Sequence, residues 1–330
     1  QEDLFSIVTR FRLFNFVIKA DIKNMYRQIL INKNQVDYQR ILWRDDPSKP
    51  LEFYRLLTVT YGITSSPFLA IRCLQQLAHE FKNQFPEACQ IITRDFYVDD
   101  LLTGTNSKEE ALQLKEQLSF ILRTGGFELT KWASNDRDIF DNANSRQASA
   151  VNLDNTEQTK NLGVFWNCNN DELFYKVEDS QLHTKLTKRG ILSVICKIFD
   201  PLGLISPIVI RAKLILQQLW KFNLEWDEVV PDNIRKLWYN LISDIKLLNS
   251  VRVPRHVLTK NSVRIELLGF ADASELAYGA ILYVRCSNKK GDSTTNLLVS
   301  KSRVAPLKAL TIPRLELLAA LLLARLTDRV

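Results

Sequence analysis

Asp99 and Asp100 stand side by side after Tyr97-Val98, between two apolar runs that read as the arms of a tight hairpin from Ile91 to Thr105. Adjacent carboxylates in such a place repel each other and lose solvation unless something neutralises them. A divalent cation does this well, because magnesium prefers oxygen donors and accepts water in its remaining positions. A third carboxylate, Asp21, ends the run Phe16-Val17-Ile18-Lys19-Ala20, which reads as a buried strand. If that strand neighbours the hairpin, Asp21 and Asp99 can hold two cations, an arrangement suited to phosphoryl transfer. Taken alone, an Asp-Asp pair between strands is most often a polar turn.

A second set of acids lies near the other end. Asp272 closes the strand-like run Leu268-Gly269-Phe270-Ala271, and Glu316 follows Pro313-Arg314-Leu315 at the start of an apolar helix. By itself Glu316 reads equally as an early-turn charge that favours the helix dipole.

Several elements must position these groups. Leu51 to Thr60 reads as a strand, and Ser66-Pro67 opens a helix running to about Phe81. Ser107 caps a helix from Lys108 to Thr124, in which Ala111, Leu114, Leu118, Ile121 and Leu122 recur at helical spacing. Gly125-Gly126 stop it, and Phe127 to Trp132 is a short strand. Residues 135–159 are polar and read as a linker or surface excursion. Leu162–Asn167 and Glu172–Val177 form a strand pair turned by Asn169-Asn170-Asp171. Helices follow over 184–250, punctuated by Pro201, Pro207 and Pro231. Strands return at 263–271, 277–286 and 296–304, before a helix from about Arg314 to Thr327.

Three motifs occur in a telling order: Ala20-Asp21-Ile22-Lys23-Asn24-Met25-Tyr26, then Tyr61-Gly62-Ile63-Thr64-Ser65-Ser66-Pro67, then Tyr97-Val98-Asp99-Asp100. The set resembles the palm of reverse transcriptases. The resemblance implies metal binding by Asp21 and Asp99, with Asp100 as the supporting carboxylate and magnesium or manganese as the cofactor. It also implies a substrate-binding set of Tyr26, Gly62 and Tyr97. Tyr26 would lie beneath the sugar and leave no room for a 2′-hydroxyl, and Gly62 would let backbone approach the nucleotide or template. Without the motif, Tyr26 reads as a core aromatic and Gly62 as a turn glycine.

Farther on, Thr187-Lys188-Arg189-Gly190-Ile191-Leu192, Phe199-Asp200-Pro201-Leu202-Gly203-Leu204-Ile205-Ser206-Pro207, Ala212-Lys213 and Leu219-Trp220 resemble the post-palm region of Pao/BEL retrotransposons. The resemblance implies a helical thumb and connection. There Lys188, Arg189, Arg211 and Lys213 could touch phosphate, though helix charges are commonly solvated faces. Leu162-Gly163-Val164-Phe165-Trp166 resembles the hairpin that supports the primer terminus, with Trp166 alternatively a core residue. Arg40, Arg44 and Arg55 fall in the fingers and could contact template.

The last segment resembles ribonuclease H, with Asp272 and Glu316 matching that family's first two metal-binding carboxylates. Some classifications label the post-palm stretch an aspartic peptidase (A17). That chemistry needs paired Asp carboxylates, usually in Asp-Thr-Gly or Asp-Ser-Gly. The nearest tripeptides are Asp200-Pro201-Leu202 and Asp272-Ala273-Ser274.

The expected fold class is α+β: a reverse transcriptase palm with hairpin-borne carboxylates over 1–135, a helical thumb and connection over 136–258, and the first half of an RNase H-like α/β domain over 259–330. The expected partners are an RNA template, a DNA primer, the RNA–DNA hybrid and deoxynucleoside triphosphates. Two alternatives stay open, an inactive remnant that binds nucleic acid and a processing peptidase. The family's basic fingers residues and its remaining RNase H acids have no counterpart within these 330 residues, so weak polymerisation and inefficient RNA hydrolysis are expected of the segment.

Composition sets the wider bounds. With 44 Lys and Arg against 37 Asp and Glu, the net charge of +7 favours an anionic partner. An apolar share of 46% with 25% charged residues is that of a globular chain long enough for two or three domains. The longest apolar run, Leu317 to Ala324, is far short of a membrane span. No leader pattern is visible, so the expectation is a cytoplasmic protein, nuclear during replication of the element, and not secreted. Cys73, Cys89, Cys168, Cys196 and Cys286 offer no C-x-x-C spacing and no disulfide framework.

Overall fold

The structure, a computed structural model, describes residues 1–139, 151–152, 164–222 and 224–330. Most of the polar stretch 135–159, and the pair Leu162-Gly163, lie outside the described residues. The chain divides into two compact units, residues 1–3 with 15–147 and residues 4–14 with 148–330. The first helix, α1 (Leu4–Phe11), belongs to the second unit.

In the first unit, β1 (Phe16–Ile22) lies between β5 (Asp100–Thr105) and β6 (Leu129–Ser134). With β4 (Phe96–Tyr97) at the edge, the antiparallel order is β4-β5-β1-β6. A separate hairpin pairs β2 (Arg40–Trp43) with β3 (Glu52–Arg55). Strand alternation decides what faces the core: Ala20, Ile22 and Leu101 join the cluster beneath helices α2 (Ser66–Phe81), α3 (Pro86–Arg94) and α4 (Lys108–Thr124). The intervening residues Lys19 and Asp21 therefore point to the opposite face.

The α4 helix forms as its sequence dictates. The Ser107 side chain accepts the Glu110 N–H at 3.2 Å, and Glu109 and Glu110 sit at the positive end of the dipole. Ala111, Leu114, Leu118, Ile121 and Leu122 are all buried, each of the larger ones contributing roughly 2 kcal/mol.

Two expectations are corrected. The arm expected over Ile91 to Tyr97 is mostly helix, since α3 runs to Arg94 and leaves only Phe96 and Tyr97 as strand. Pro86 starts that helix, and Ala88, Cys89, Ile91 and Ile92 form its buried stripe. The strand expected over 51–60 shrinks to Glu52–Arg55, exposed at every position. Beyond it, Thr58 makes only an isolated bridge with Leu30.

The second unit holds two antiparallel sheets. One runs β10-β9-β8-β7, from β7 (Val151–Asn152), β8 (Val164–Asn167), β9 (Glu172–Tyr175) and β10 (Arg252–Pro254). The other runs β11-β12-β13, from β11 (Arg264–Ala273), β12 (Ala277–Ser287) and β13 (Ser293–Val304). Helices α5 (Asp179–Leu182), α6 (Lys188–Ile195), α7 (Ser206–Lys221) and α8 (Asp232–Leu247) lie between them in sequence, and α9 (Ile312–Asp328) follows. Against the second sheet, α7 packs on β13 while α9 packs on β11 and β12.

Two buried arginines tie α1 into this unit. The Arg12 guanidinium donates to the carbonyls of Arg255, Pro254 and Leu298. Arg255 makes a two-pronged pair with Asp171 at 2.6 and 2.7 Å and also donates to the carbonyls of Phe11 and Phe14. Burial, then the neighbouring Arg255 charge, pulls Arg12 down to about 9, which leaves it protonated at neutral pH.

Candidate active site

The β1–β5 ladder sets Asp21 directly opposite Asp100, and the Ile22 N–H donates to the Asp99 carbonyl at 2.9 Å. Directly opposed residues share a face of the sheet, so the two carboxylates stand together on the face away from the helices. Asp99 lies in the two-residue turn that closes β4 on β5. Its partner in the turn, Val98, has a φ of 57°, which a β-branched residue adopts only under strain. Val98 also packs against the core beneath the sheet, and that packing holds the turn in place.

Charge in this corner is unbalanced. Burial lifts the Asp100 carboxyl to about 6, with Asp99 and Asp21 adding to the rise and Lys19 and Lys131 opposing it. Lys19 Nζ lies 3.8 Å from Asp100, and Lys131 Nζ lies 2.6 Å from Asp21. Lys131 reaches Asp21 because β6 is bulged: Thr130 pairs with Asp21 and Ala133 with Lys19, leaving Lys131 and Trp132 together opposite Ala20. Among the described residues no three His, Cys, Asp or Glu side chains form a ready metal cage.

Tyr26 is half-buried against the same core and meets Tyr61 edge-on at 4.9 Å. Burial raises its hydroxyl pKa first, and the charge of Asp99 and then Tyr61 raise it further, so the ring stands within electrostatic reach of the turn. Gly62 has φ +82°, and a Cβ there would meet nothing within 4 Å. The backbone angle alone demands glycine at this position, and the space beside it is open. Tyr97 pairs with Asp100 at the base of the turn. Asp21, Asp99, Asp100, Tyr26 and Tyr97 thus gather in one corner of the first unit.

In the second unit Asp272 is exposed near the end of β11, opposite Gly279, and its carboxylate accepts the Ala273 N–H at 2.9 Å. Glu316 is half-buried in the first turns of α9, the helix packed on β11.

The basic residues expected on phosphate divide. Arg189 pairs with Asp227 and Arg211 with Asp244, while Lys188 covers the Trp220 ring at 3.9 Å and Lys213 Nζ donates to the Ser302 carbonyl at 3.5 Å. Arg40 and Arg55 both bind Asp37. Trp166 is a core residue, fully buried, with its indole N–H donated to Asp171.

Asp200 is spent on structure. Its carboxylate accepts from the Tyr175 hydroxyl at 2.9 Å and from the N–H groups of Leu204 and Ile205 at 2.8 and 3.0 Å. The turn it caps needs Gly203, where φ is +70° and a Cβ would collide with the Ser300 carbonyl at 2.0 Å.

The sequence reading missed Lys131, whose placement depends on a bulge that no residue pattern announces. It also missed Lys19, although alternation along β1 puts that residue on the face of Asp21.

Residues 7–132 match the family model for reverse transcriptase (RNA-dependent DNA polymerase). Residues 187–330 match that of the Pao retrotransposon-like RNaseH-like domain, which begins inside the segment expected to be thumb and connection. Two solved structures share the fold at a TM-score of 0.58 each: the foamy viral protease-reverse transcriptase in complex with RNA/DNA hybrid, at 15% identity, and a dRH form of it in complex with double-stranded DNA, at 16%. Each likeness covers 99% of this chain, which spans only 38% and 50% of the respective foamy viral chains. No curated protein matches the chain in sequence. The family match over residues 7–132 and the shared fold support a reverse transcriptase, by family an RNA-directed DNA polymerase. Together with the RNaseH-like match over residues 187–330, these likenesses support a segment of a Pao/BEL-type retrotransposon Pol protein.

Proposed function

We propose that this chain adds deoxynucleotides to a primer 3′-hydroxyl on an RNA template, with Asp21 and Asp99 as metal ligands and Asp100 as their support. The observation that carries this reading is the ladder that opposes Asp21 to Asp100 and bonds Ile22 to Asp99. The donors are all oxygen, and the Lys131 ammonium on Asp21 marks a place that attracts a cation. Two carboxylates suffice for magnesium, since phosphates and water complete its sphere. Magnesium or manganese bound there supplies the charge that activates the primer hydroxyl and neutralises the triphosphate.

The chain's own residues do the rest. Asp21 and Asp99 hold the reacting groups in line, and Asp100 keeps negative charge behind them. The Tyr26 ring, braced edge-on by Tyr61, excludes a sugar that carries a 2′-hydroxyl. Gly62 leaves its backbone open to the substrate, and Tyr97 anchors the turn that presents Asp99. In this reading residues 1–135 form the polymerase, 136–258 the thumb and connection, and 259–330 an RNase H-like part in which Asp272 and Glu316 bind metal over an RNA–DNA hybrid. The three hydrogen bonds that Asp200 accepts, from Tyr175, Leu204 and Ile205, give the peptidase reading no support.

Primer extension on an RNA template with magnesium and deoxynucleotides tests the reading. Asp99→Asn is expected to lower extension by about a thousandfold or more. Extension that survives this substitution undiminished sinks it.

A further inference from the structure

Within the second unit, α7 is tied to the end of β13. Gln217 Nε2 donates to the Ala305 carbonyl at 2.7 Å and Lys213 Nζ to the Ser302 carbonyl at 3.5 Å. Beside these ties opens a groove of about 430 Å³, walled by Leu216, Trp220, Pro306 and Leu307. Its walls are left to solvent: Trp220 is 54% exposed and Leu307 65%. A volume of this size suits a small flat ligand.

The rim of the groove is cationic. Lys213 lines it, and Lys301 and Arg303, two exposed residues on one side of β13, stand close enough to depress the Lys213 pKa after burial has done so. Among the described residues none of the three makes an ion pair. Asp200, the acid whose charge Lys213 feels, is already bonded to Tyr175, Leu204 and Ile205. Three cations near this one acid leave the rim net positive, and an anion relieves their mutual repulsion. Lys188 over the Trp220 ring adds a fourth cation.

An aromatic wall with a cationic rim matches the two halves of a nucleotide, a flat base and a phosphate. A paired base is stacked on both faces and cannot enter, whereas an unpaired one can. We propose that this groove binds one unpaired nucleotide of a single nucleic-acid strand, its base against Trp220, Pro306 and Leu307 and its flanking phosphates on Lys213, Lys301 and Arg303. The proposal shares the nucleic-acid partner of the polymerase reading and none of its carboxylates.

Binding of fluorescein-labelled oligodeoxythymidine and of a blunt duplex of equal length, measured by anisotropy on the full chain, tests it. Trp220→Ala is expected to weaken oligodeoxythymidine roughly tenfold while leaving the duplex within about twofold, and Trp220→Phe to retain most of the affinity. Lys301→Ala with Arg303→Ala should flatten the salt dependence for the single strand by about 1.4 units of log–log slope. Unchanged single-strand affinity in Trp220→Ala overturns the proposal, as does an equal loss on the duplex. Polyglutamate competing as well as oligodeoxythymidine also overturns it and assigns the groove to acidic peptide. Failed primer extension by the unsubstituted chain, with these binding results intact, counts against the polymerase reading alone.

Discussion

Lys131 Nζ and Asp21 Oδ2 lie 2.6 Å apart, so the first proposed metal ligand already carries an ammonium. The contact exists because the β6 bulge holds Lys131 at a φ of 51°, which turns its side chain toward β1. The Lys131 side chain is 63% exposed, and an exposed pair contributes about 1 kcal/mol at most. Lys131 is therefore a weak competitor for the cation site. Lys131→Ala should lower the magnesium needed for half-maximal primer extension by roughly two- to fivefold. A magnesium titration in which the requirement rises would contradict this.

Tyr26 is expected to govern sugar choice. Tyr26→Ala removes the ring that Tyr61 braces, and a pocket that excludes by shape alone discriminates by roughly 10- to 200-fold. Ribonucleotide incorporation relative to deoxynucleotide should rise by about that factor, measured as a ratio of kcat/KM values. The same substitution opens a gap beside the core and should lower the melting temperature modestly. A loss of stability with no change in the ratio would return Tyr26 to a purely structural role.

Val98 offers a test of strain. At φ 57° any L-residue is penalised by about 1–2 kcal/mol and glycine is not. Val98→Ala keeps the penalty and loses the packing against the core, whereas Val98→Gly loses both. Chemical denaturation should therefore rank Val98→Gly above Val98→Ala by about 1 kcal/mol, the reverse of their order in ordinary strands. If alanine proves the more stable, the turn is not held as described.

Asp200 should behave as a structural acid. Its carboxylate serves Tyr175, Leu204 and Ile205, so Asp200→Ala leaves buried donors unpaired and should lower stability by roughly 2–4 kcal/mol. Burial lifts this carboxyl above 3.8, so the native state holds its proton more tightly than the unfolded chain does. The stabilisation from that proton is full below the unfolded value, shrinks as pH rises through the lifted one, and is then gone. Urea midpoints followed upward from pH 4 should fall more steeply in the parent than in Asp200→Asn. Parallel curves would show that Asp200 does not titrate in this window.

The corner that gathers Asp21, Asp99 and Asp100 was largely legible in sequence because its parts are local. Asp21 ends an apolar run that reads as a strand, and the tight turn at Asp99 with the strand after it could be read locally, whereas the arm before it is mostly helix. The α4 helix was equally plain from Ser107, its five buried positions and Gly125-Gly126. What escaped notice depends on distant partners or on backbone geometry. Ile91 and Ile92 read as strand because two neighbouring isoleucines suit either structure, and only Pro86 upstream marks a helix. The α1 helix could not be anticipated because the groups that hold it, Arg255, Asp171 and Leu298, come far later in the chain. Lys131 and the Lys213 groove belong to the same class, since each is made by register or packing between separate elements.

The membership of α1 reaches beyond its own packing. Arg12 is bonded to the Leu298 carbonyl, 286 positions away, so the second unit closes only after a very long loop has been drawn in. During synthesis α1 is made 243 or more positions before the Arg255 and Leu298 carbonyls to which Arg12 donates. No single cut releases the RNaseH-like half as a finished body, because a break between 147 and 148 leaves one of its helices on the other piece. A gene fusion that carries residues 4–14 onto 148–330 is the minimal piece able to restore that helix to its seat.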